Sequence, residues 1–173
     1  MSHIPPINLA QQQQVIRATE HFIGVAAELL DKPFSIIPVH FNLRGRAAGM
    51  YRVRDREREI RYNPYLFAKY FDDNLTNTVP HEVAHYIIDC CYGLRRVRPH
   101  GREWQQLMRR FGVEPEVTCR YDLSGVPQRR QKRFEYRCEC RSHQLTTIRH
   151  NKVQRGKASY LCKVCRQPLA WQA

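Results

Sequence analysis

Acidic residues are scarce in the last third of this chain: residues 119–173 hold 3 Asp and Glu against 13 Lys and Arg. Residues 1–118 are nearly balanced, with 13 acidic and 16 basic side chains, so +10 of the formal net charge of +13 lies beyond residue 118. Such an imbalance says nothing about fold. It favours an acidic partner, whether nucleic acid, an anionic membrane face or an acidic protein, and it marks the last third as a module of its own. Long apolar runs are missing as well. No stretch approaches the roughly 18 residues that a membrane-spanning helix needs, and the opening MSHIPPINLAQQQQV lacks the basic and then apolar segments of a secretory signal. No membrane partner is expected. The location implied is the cytoplasm, with association to the nucleoid if the basic module takes DNA. There is no internal repeat and no long low-complexity segment. An even set of cysteines is also absent: the seven are Cys90, Cys91, Cys119, Cys138, Cys140, Cys162 and Cys165. An odd count without a signal argues against a disulfide framework and for reduced thiols, some of them on metal.

What remains is 173 residues with 42% hydrophobic content, suited to one domain with a small appendage. Asn8 can cap a helix over Leu9–Leu30, where Val15, Ile16, Ala18, Phe22, Ile23 and Ala26 recur at helical spacing. Residues 34–62 read as extended. FSIIPVHFNL is one strand ended by Arg44-Gly45, and AAGMYRVRD with EREIRYN forms a hairpin. Asn63-Pro64 starts a short helix, PYLFAKYFD. A third helix is predicted from residues 77–80 to a stop at Gly93, and a fourth over 102–111, ended by Gly112. The fold class is α+β, with helices against a small antiparallel sheet. The domain boundaries are 1–121, a polar linker over 122–133, and an appendage over 134–173.

The third helix opens with His81-Glu82-Val83-Ala84-His85. Residues four apart share a helix face, so two imidazoles at that spacing can bind one Zn²⁺, and Glu82 beside them can reach a metal-bound water. Zinc would lower the pKa of that water to roughly 7, and the carboxylate would take its proton and pass it to a leaving amine. Catalytic zinc takes three protein ligands and an open position. His100, which begins the next helix, is the third candidate. The bland alternative, two histidines on an amphipathic helix, is opposed by the apolar flanks Val79, Val83, Ile87 and Ile88. Asp89, one turn past His85, reads as a surface carboxylate, or else as a group that orients a ligand histidine. Tyr62 and Tyr86 could stabilise an oxyanion, although core packing explains each. Cys90 and Cys91 read as apolar-face residues, and Trp104 as packing.

TVPHEVAHYII followed by RPHGREWQQLM resembles the SprT-like family of zinc peptidases, whose eukaryotic relatives are called Spartan. RGRAAGMYRVRDREREIRYNP resembles that family's hairpin and Asn-Pro helix start, and YRCECRSHQLTTIRHNKVQRGKASYLCKVCRQPL resembles the terminal zinc ribbon of its bacterial branch. The resemblance implies a compact metallopeptidase domain with His81, His85 and His100 as zinc ligands and Glu82 as the catalytic acid and base. It also implies protein substrates on DNA, because Spartan-type enzymes degrade proteins crosslinked to DNA.

In the basic module, Cys162-x-x-Cys165 has structural-zinc spacing and needs two upstream ligands. Cys138, Cys140 and His143 offer three candidates for two places, and spacing leaves the choice open. About 40 residues bury too little apolar surface to fold alone, so a closed metal site would stabilise them. Arg129, Arg130, Lys132, Arg133, Arg149, Lys152, Arg155 and Lys157, joined by Arg137 and Arg141, lie among Phe134, Tyr136, Tyr160 and Trp171. Cations track phosphates and exposed aromatics stack on unpaired bases, so DNA is the expected partner, single-stranded DNA included. The expectation is thus a zinc endopeptidase with one catalytic and one structural zinc. The alternative is a nucleic-acid-binding regulator whose histidine site is structural or vestigial.

Overall fold

The computed structural model describes residues 4–93, 96–117, 120–128 and 132–172. The chain divides into two compact units, Met1–Gln128 and Arg129–Ala173.

The first unit begins with α1 (Leu9–Leu30). Asn8 Oδ1 accepts the Gln11 N–H, and the Gln11 side chain accepts the Asn8 N–H, so two of the donors orphaned at a helix start are satisfied reciprocally. Val15, Thr19, Ile23 and Ala26 form the buried stripe, which packs on the later helix that carries His81 and His85. A three-stranded sheet follows: β1 (Val39–His40), β2 (Gly49–Arg54) and β3 (Glu57–Tyr62), in the order β1-β3-β2. The hairpin β2–β3 is antiparallel as the alternation requires, but β1 runs parallel to β3, which corrects the purely antiparallel expectation. Residues 41–48 carry the chain past the end of β3 to its far side, so β2 reverses β1 without pairing with it. The long strand expected over 34–43 shrinks to two residues. Pro33 and Pro38 bring no N–H to a ladder, while Ile37 packs into the core. Contact with β3 continues through Ile60 N–H to Pro38 O at 3.0 Å and Leu43 N–H to Tyr62 O at 3.1 Å.

Asn63 begins α2 (Pro64–Lys69) as the sequence suggested, its Oδ1 accepting from the N–H groups of Tyr65 and Leu66. Its Nδ2 donates to the carbonyls of Gly45 and Ala47, which fixes the approach to β2. After a break at Tyr70, one helical path runs through α3 (Phe71–Asp73), a π-helical turn (Asn74–Thr78) and α4 (Val79–Tyr92). A separate start near 77–80 is not seen. Pro80 lacks an N–H and its ring would clash with the carbonyl four residues back. The wider π turn, in which Val79 N–H reaches Asn74 O, relieves that conflict without ending the helix. Gly93 stops α4 at φ 82°, with its N–H on Asp89 O. Then α5 (Arg102–Arg110) buries Trp104, Leu107 and Met108.

Residues 120–128, expected within or beside the linker, pack on the first unit. Tyr121 stacks on Tyr70 with ring centroids 4.4 Å apart, Lys69 Nζ meets Asp122 Oδ2 at 2.8 Å, and Val126 is buried with Ala48 and Leu66. The second unit has β4 (Arg133–Arg137), β5 (Ser142–Thr146), α6 (Thr147–Gln154) and β6 (Ala170–Trp171). Its antiparallel sheet has the order β5-β4-β6. Among its described residues Tyr136, Leu145, His150 and Cys162 are buried, a core too small to stand without help.

Candidate metal centres

Helical spacing puts His81 and His85 on one face of α4, and α5 returns His100 to them. The three Nε2 atoms form a near-equilateral triangle: His81 to His85 3.2 Å, His85 to His100 3.0 Å, His81 to His100 3.0 Å. A neutral imidazole has one N–H and one lone pair, so a closed ring of three cannot turn every contact into a well-aligned hydrogen bond. A tetrahedral ion with Zn–N distances of about 2.0–2.1 Å would set its nitrogens about 3.3 Å apart. The donor set therefore fits such an ion closely. Burial lowers His81 to about 4 and His85 to about 3, helped by the neighbouring imidazoles, and burial also lowers His100. All three are thus neutral at pH 7, the form that binds metal. A hydrogen bond to the Glu116 backbone works against that lowering at His81 without overcoming it, and a neutral ring that keeps its one proton away from Nε2 turns that lone pair to the other histidines.

Trp104 does more than pack a helix. Its indole lies 4.7, 5.6 and 4.8 Å, centroid to centroid, from His81, His85 and His100, and its Nε1–H reaches His81 O at 3.3 Å. His100 has φ 57°, a left-handed backbone that non-glycine residues adopt sparingly and that recurs at functional sites. Gly101 follows because a Cβ there would stand 2.9 Å from Arg98 O.

Glu82 is 6% exposed, and its Oε2 accepts the Tyr51 N–H of β2 at 2.6 Å. Burial pushes its carboxyl up to about 8 while the Tyr51 N–H works in the other direction. A divalent cation on the histidines would pull it back down. The close approach of β2 depends on Gly49, where a Cβ would lie 2.6 Å from Glu82 Cγ and Oε1 and 2.8 Å from Thr78 Cγ2. Gly49, Thr78, His81, Glu82 and Val117 line part of a cleft of about 190 Å³.

The other candidates near this site have structural duties. Asp89 is no surface carboxylate: it is 8% exposed, and its Oδ2 accepts from Tyr51 Oη at 2.7 Å and Arg58 Nε at 2.8 Å. Tyr62 Oη pairs with Thr19 Oγ1 and Tyr86 Oη donates to Ser35 O, so both belong to the core. Cys90 and Cys91 pack against that core.

In the second unit the sulfurs of Cys138, Cys140, Cys162 and Cys165 converge within 4.8 Å of one another. Cys138 to Cys140 is 3.4 Å and Cys140 to Cys162 is 3.6 Å. Tetrahedral zinc with Zn–S of about 2.3 Å would set them about 3.8 Å apart, so this donor set fits too. Of the five candidates, His143 stands outside the four sulfurs, with its Nε2 3.3 Å from Cys138 Sγ. Desolvation opposes ionisation of Cys138, but hydrogen bonds from His143 and the Cys140 backbone outweigh it and bring the thiol down to about 5. The thiolate is the metal-binding form. Both groups, four cysteines and three histidines, could hold a metal ion.

The basic candidates divide. Arg129 and Arg130 lie outside the described residues. Lys132, Arg133, Arg149, Lys152, Arg155 and Lys157 are all exposed. Of the aromatics among them, Tyr136 is buried, Phe134 stacks on His150 at 3.7 Å, Tyr160 is half-buried beneath Arg149 and Trp171 is 43% exposed.

The family model described as the SprT-like family matches residues 19–127, which include every histidine of the first centre. The chain belongs to the SprT-like family. It is 38% identical over 161 residues to "Protein SprT" of Pasteurella multocida (strain Pm70), covering 92% of this chain and 93% of that protein. It is 42% identical over 148 residues to "Protein SprT" of Vibrio parahaemolyticus serotype O3:K6, covering 85% and 86%. The first of these alignments is too long to be held by the first unit alone, so similarity to SprT proteins reaches the cysteine-bearing unit. No solved structure matches the chain. Among the described residues of this SprT-like chain, no helix is long and apolar enough to cross a membrane. Sequence reasoning missed Gly49 and Tyr51; the only signal was a glycine opening a strand that also carries a tyrosine.

Proposed function

We propose that this SprT-like chain is a zinc-dependent endopeptidase that cleaves proteins bound to DNA. The observation that carries the reading is the convergence of three neutral imidazole nitrogens beside one buried carboxylate, Glu82. A zinc ion held by His81, His85 and His100 would supply Lewis acidity at neutral pH. Glu82 does the proton work: it takes a proton from the attacking water and returns it to the departing amine. The Tyr51 N–H holds one carboxylate oxygen in place while this happens. Trp104 walls the imidazoles on one side and keeps water from that side.

The DNA part of the proposal is supported by charge and exposure. Residues 119–173 carry 13 basic against 3 acidic side chains, and the six described cationic candidates all face solvent. In the second unit Arg141, Arg149, Tyr160 and Lys163 help line a groove of about 610 Å³, a place for backbone phosphates beside a stacking ring. A structural zinc on Cys138, Cys140, Cys162 and Cys165 would hold that surface together.

The test is cleavage of a DNA-bound protein with and without single-stranded DNA, comparing wild type with Glu82→Gln. The proposal expects DNA-stimulated cleavage that the substitution abolishes with both metals retained. Undiminished cleavage by Glu82→Gln would sink the mechanism, and cleavage indifferent to DNA would sink the docking role of the second unit.

A further inference from the structure

Tyr51 touches α4 twice. Its main-chain N–H donates to Glu82 Oε2 at 2.6 Å and its hydroxyl donates to Asp89 Oδ2 at 2.7 Å. Glu82 and Asp89 are seven residues apart, so they lie on one face of α4, about 10.5 Å from each other along its axis. A single residue of β2 therefore spans two turns of the helix that carries His81 and His85.

The second contact is braced. Arg58 Nε donates to the same Asp89 oxygen at 2.8 Å. Arg58 lies on β3 and pairs across the hairpin with Val53, two residues beyond Tyr51. Both strands of the hairpin thus converge on Asp89. The need for such an anchor follows from Gly49. A strand with no Cβ at its point of closest approach has little to stop it sliding along the helix. A slide of one or two ångströms would leave helix and sheet intact, but it would pull the Tyr51 N–H off Glu82.

We propose that Tyr51, through its hydroxyl on Asp89 and the brace of Arg58, is a positioning residue: it sets the register of β2 on α4 so that the Tyr51 amide holds Glu82 Oε2. Oε1 has no protein hydrogen bond among the described residues and is left for the proton transfer. This rests on the reading of Glu82 as acid and base. The clamp itself is a geometric statement and can be tested apart from that reading.

Tyr51→Phe removes the hydroxyl and keeps both the ring, which packs on Tyr86 at 5.9 Å, and the amide. The first readout is the proton shift of the residue-51 amide in the metal-loaded full chain. A short hydrogen bond to a carboxylate places that proton far downfield. Tyr51→Phe is expected to move it upfield, as is the control Glu82→Gln. The second readout is cleavage, normalised to bound metal: kcat is expected to fall about tenfold or more with KM unchanged within about twofold, the pattern of a lost transition-state interaction. Asp89→Asn keeps an acceptor for the hydroxyl and loses the charge that Arg58 pairs with, so it should fall between wild type and Tyr51→Phe in both readouts. It serves as the test variant if Tyr51→Phe does not fold.

A lower melting temperature with an unmoved amide proton would overturn the proposal, because a merely structural tyrosine behaves in that way. So would an unchanged kcat in a chain that cleaves. If the wild type cleaves nothing, the peptidase reading fails by itself, and the amide shift still decides the clamp: upfield movement supports it and no movement overturns it.

Discussion

His85 Nε2 and His100 Nε2 lie 3.0 Å apart although fifteen residues separate them along the chain. The contact exists because α5 returns to α4 and because His100 accepts a left-handed backbone just before α5 begins. A site built this way depends on each histidine unequally, which leads to the first prediction.

His100→Ala should leave α4 intact and remove one of three nitrogens. Metal affinity at this centre is expected to fall by at least ~100-fold, beyond the range seen when only an outer partner of a ligand is lost. Metal analysis after dialysis should find the cysteine-bound ion alone. Two ions retained would place the first metal elsewhere.

Gly49→Ala inserts a Cβ 2.6 Å from Glu82 Cγ and 2.8 Å from Thr78 Cγ2. The Glu82 side chain or the strand must shift. Destabilisation of about 1–3 kcal/mol is expected, as for overpacking in a filled site, together with loss of cleavage at full metal content. Thermal melting and metal analysis on one sample check this, and a wild-type profile in both would show that the approach of β2 is looser than described.

Cys162→Ser removes a buried thiol from the four-sulfur group. The second unit has few buried side chains, so its fold should go with the metal. Amide resonances of residues 132–172 should collapse toward unfolded positions, while those of Ile23, Ile60 and Val83 in the first unit keep their dispersion. A dispersed spectrum for the second unit without its metal would show a self-sufficient core.

Lys69 Nζ, followed by the hydroxyl and N–H of Ser124, holds the Asp122 carboxyl well below the usual carboxylate range. A carboxyl depressed on folding contributes stability that is present above its unfolded pKa, near ~3.9, and lost as pH falls through the folded value. The pair is exposed, so the effect is small. The melting temperature of wild type should therefore drop more between about pH 5 and pH 2 than that of Lys69→Met. Equal slopes would mean that the contact adds nothing.

Elements whose signal is local were legible in the sequence. Asn8 and Asn63 cap their helices through side chains within three residues, and the spacing of His81 and His85 needs nothing but a helix. His100 was reachable because a third nitrogen was required and the next helix began with one. Features set by distant neighbours were hidden. Asp89 looks like a surface acid until Tyr51 and Arg58 arrive from the hairpin. Gly49 looks like an ordinary strand opening until Glu82 is placed against it. The direction of β1 follows from which side of β3 it reaches, and residue pattern does not encode that. The choice among Cys138, Cys140 and His143 needed three dimensions, since all three lie within six residues of one another.

The π-helical turn at Asn74–Thr78 supplies no ligand to either metal group, yet it belongs to the first one. Such a turn carries one residue more than an α-helical turn, and one residue is about 100° of rotation. That added phase decides which face of α4 looks at α5 and β2. Drawing the helix back to regular α geometry at that point would keep His81, Glu82 and His85 in their mutual spacing but aim them about a quarter-turn away from His100 and Gly49. The chemistry of the site is thus set partly by an angle, stored one turn upstream of the residues that use it.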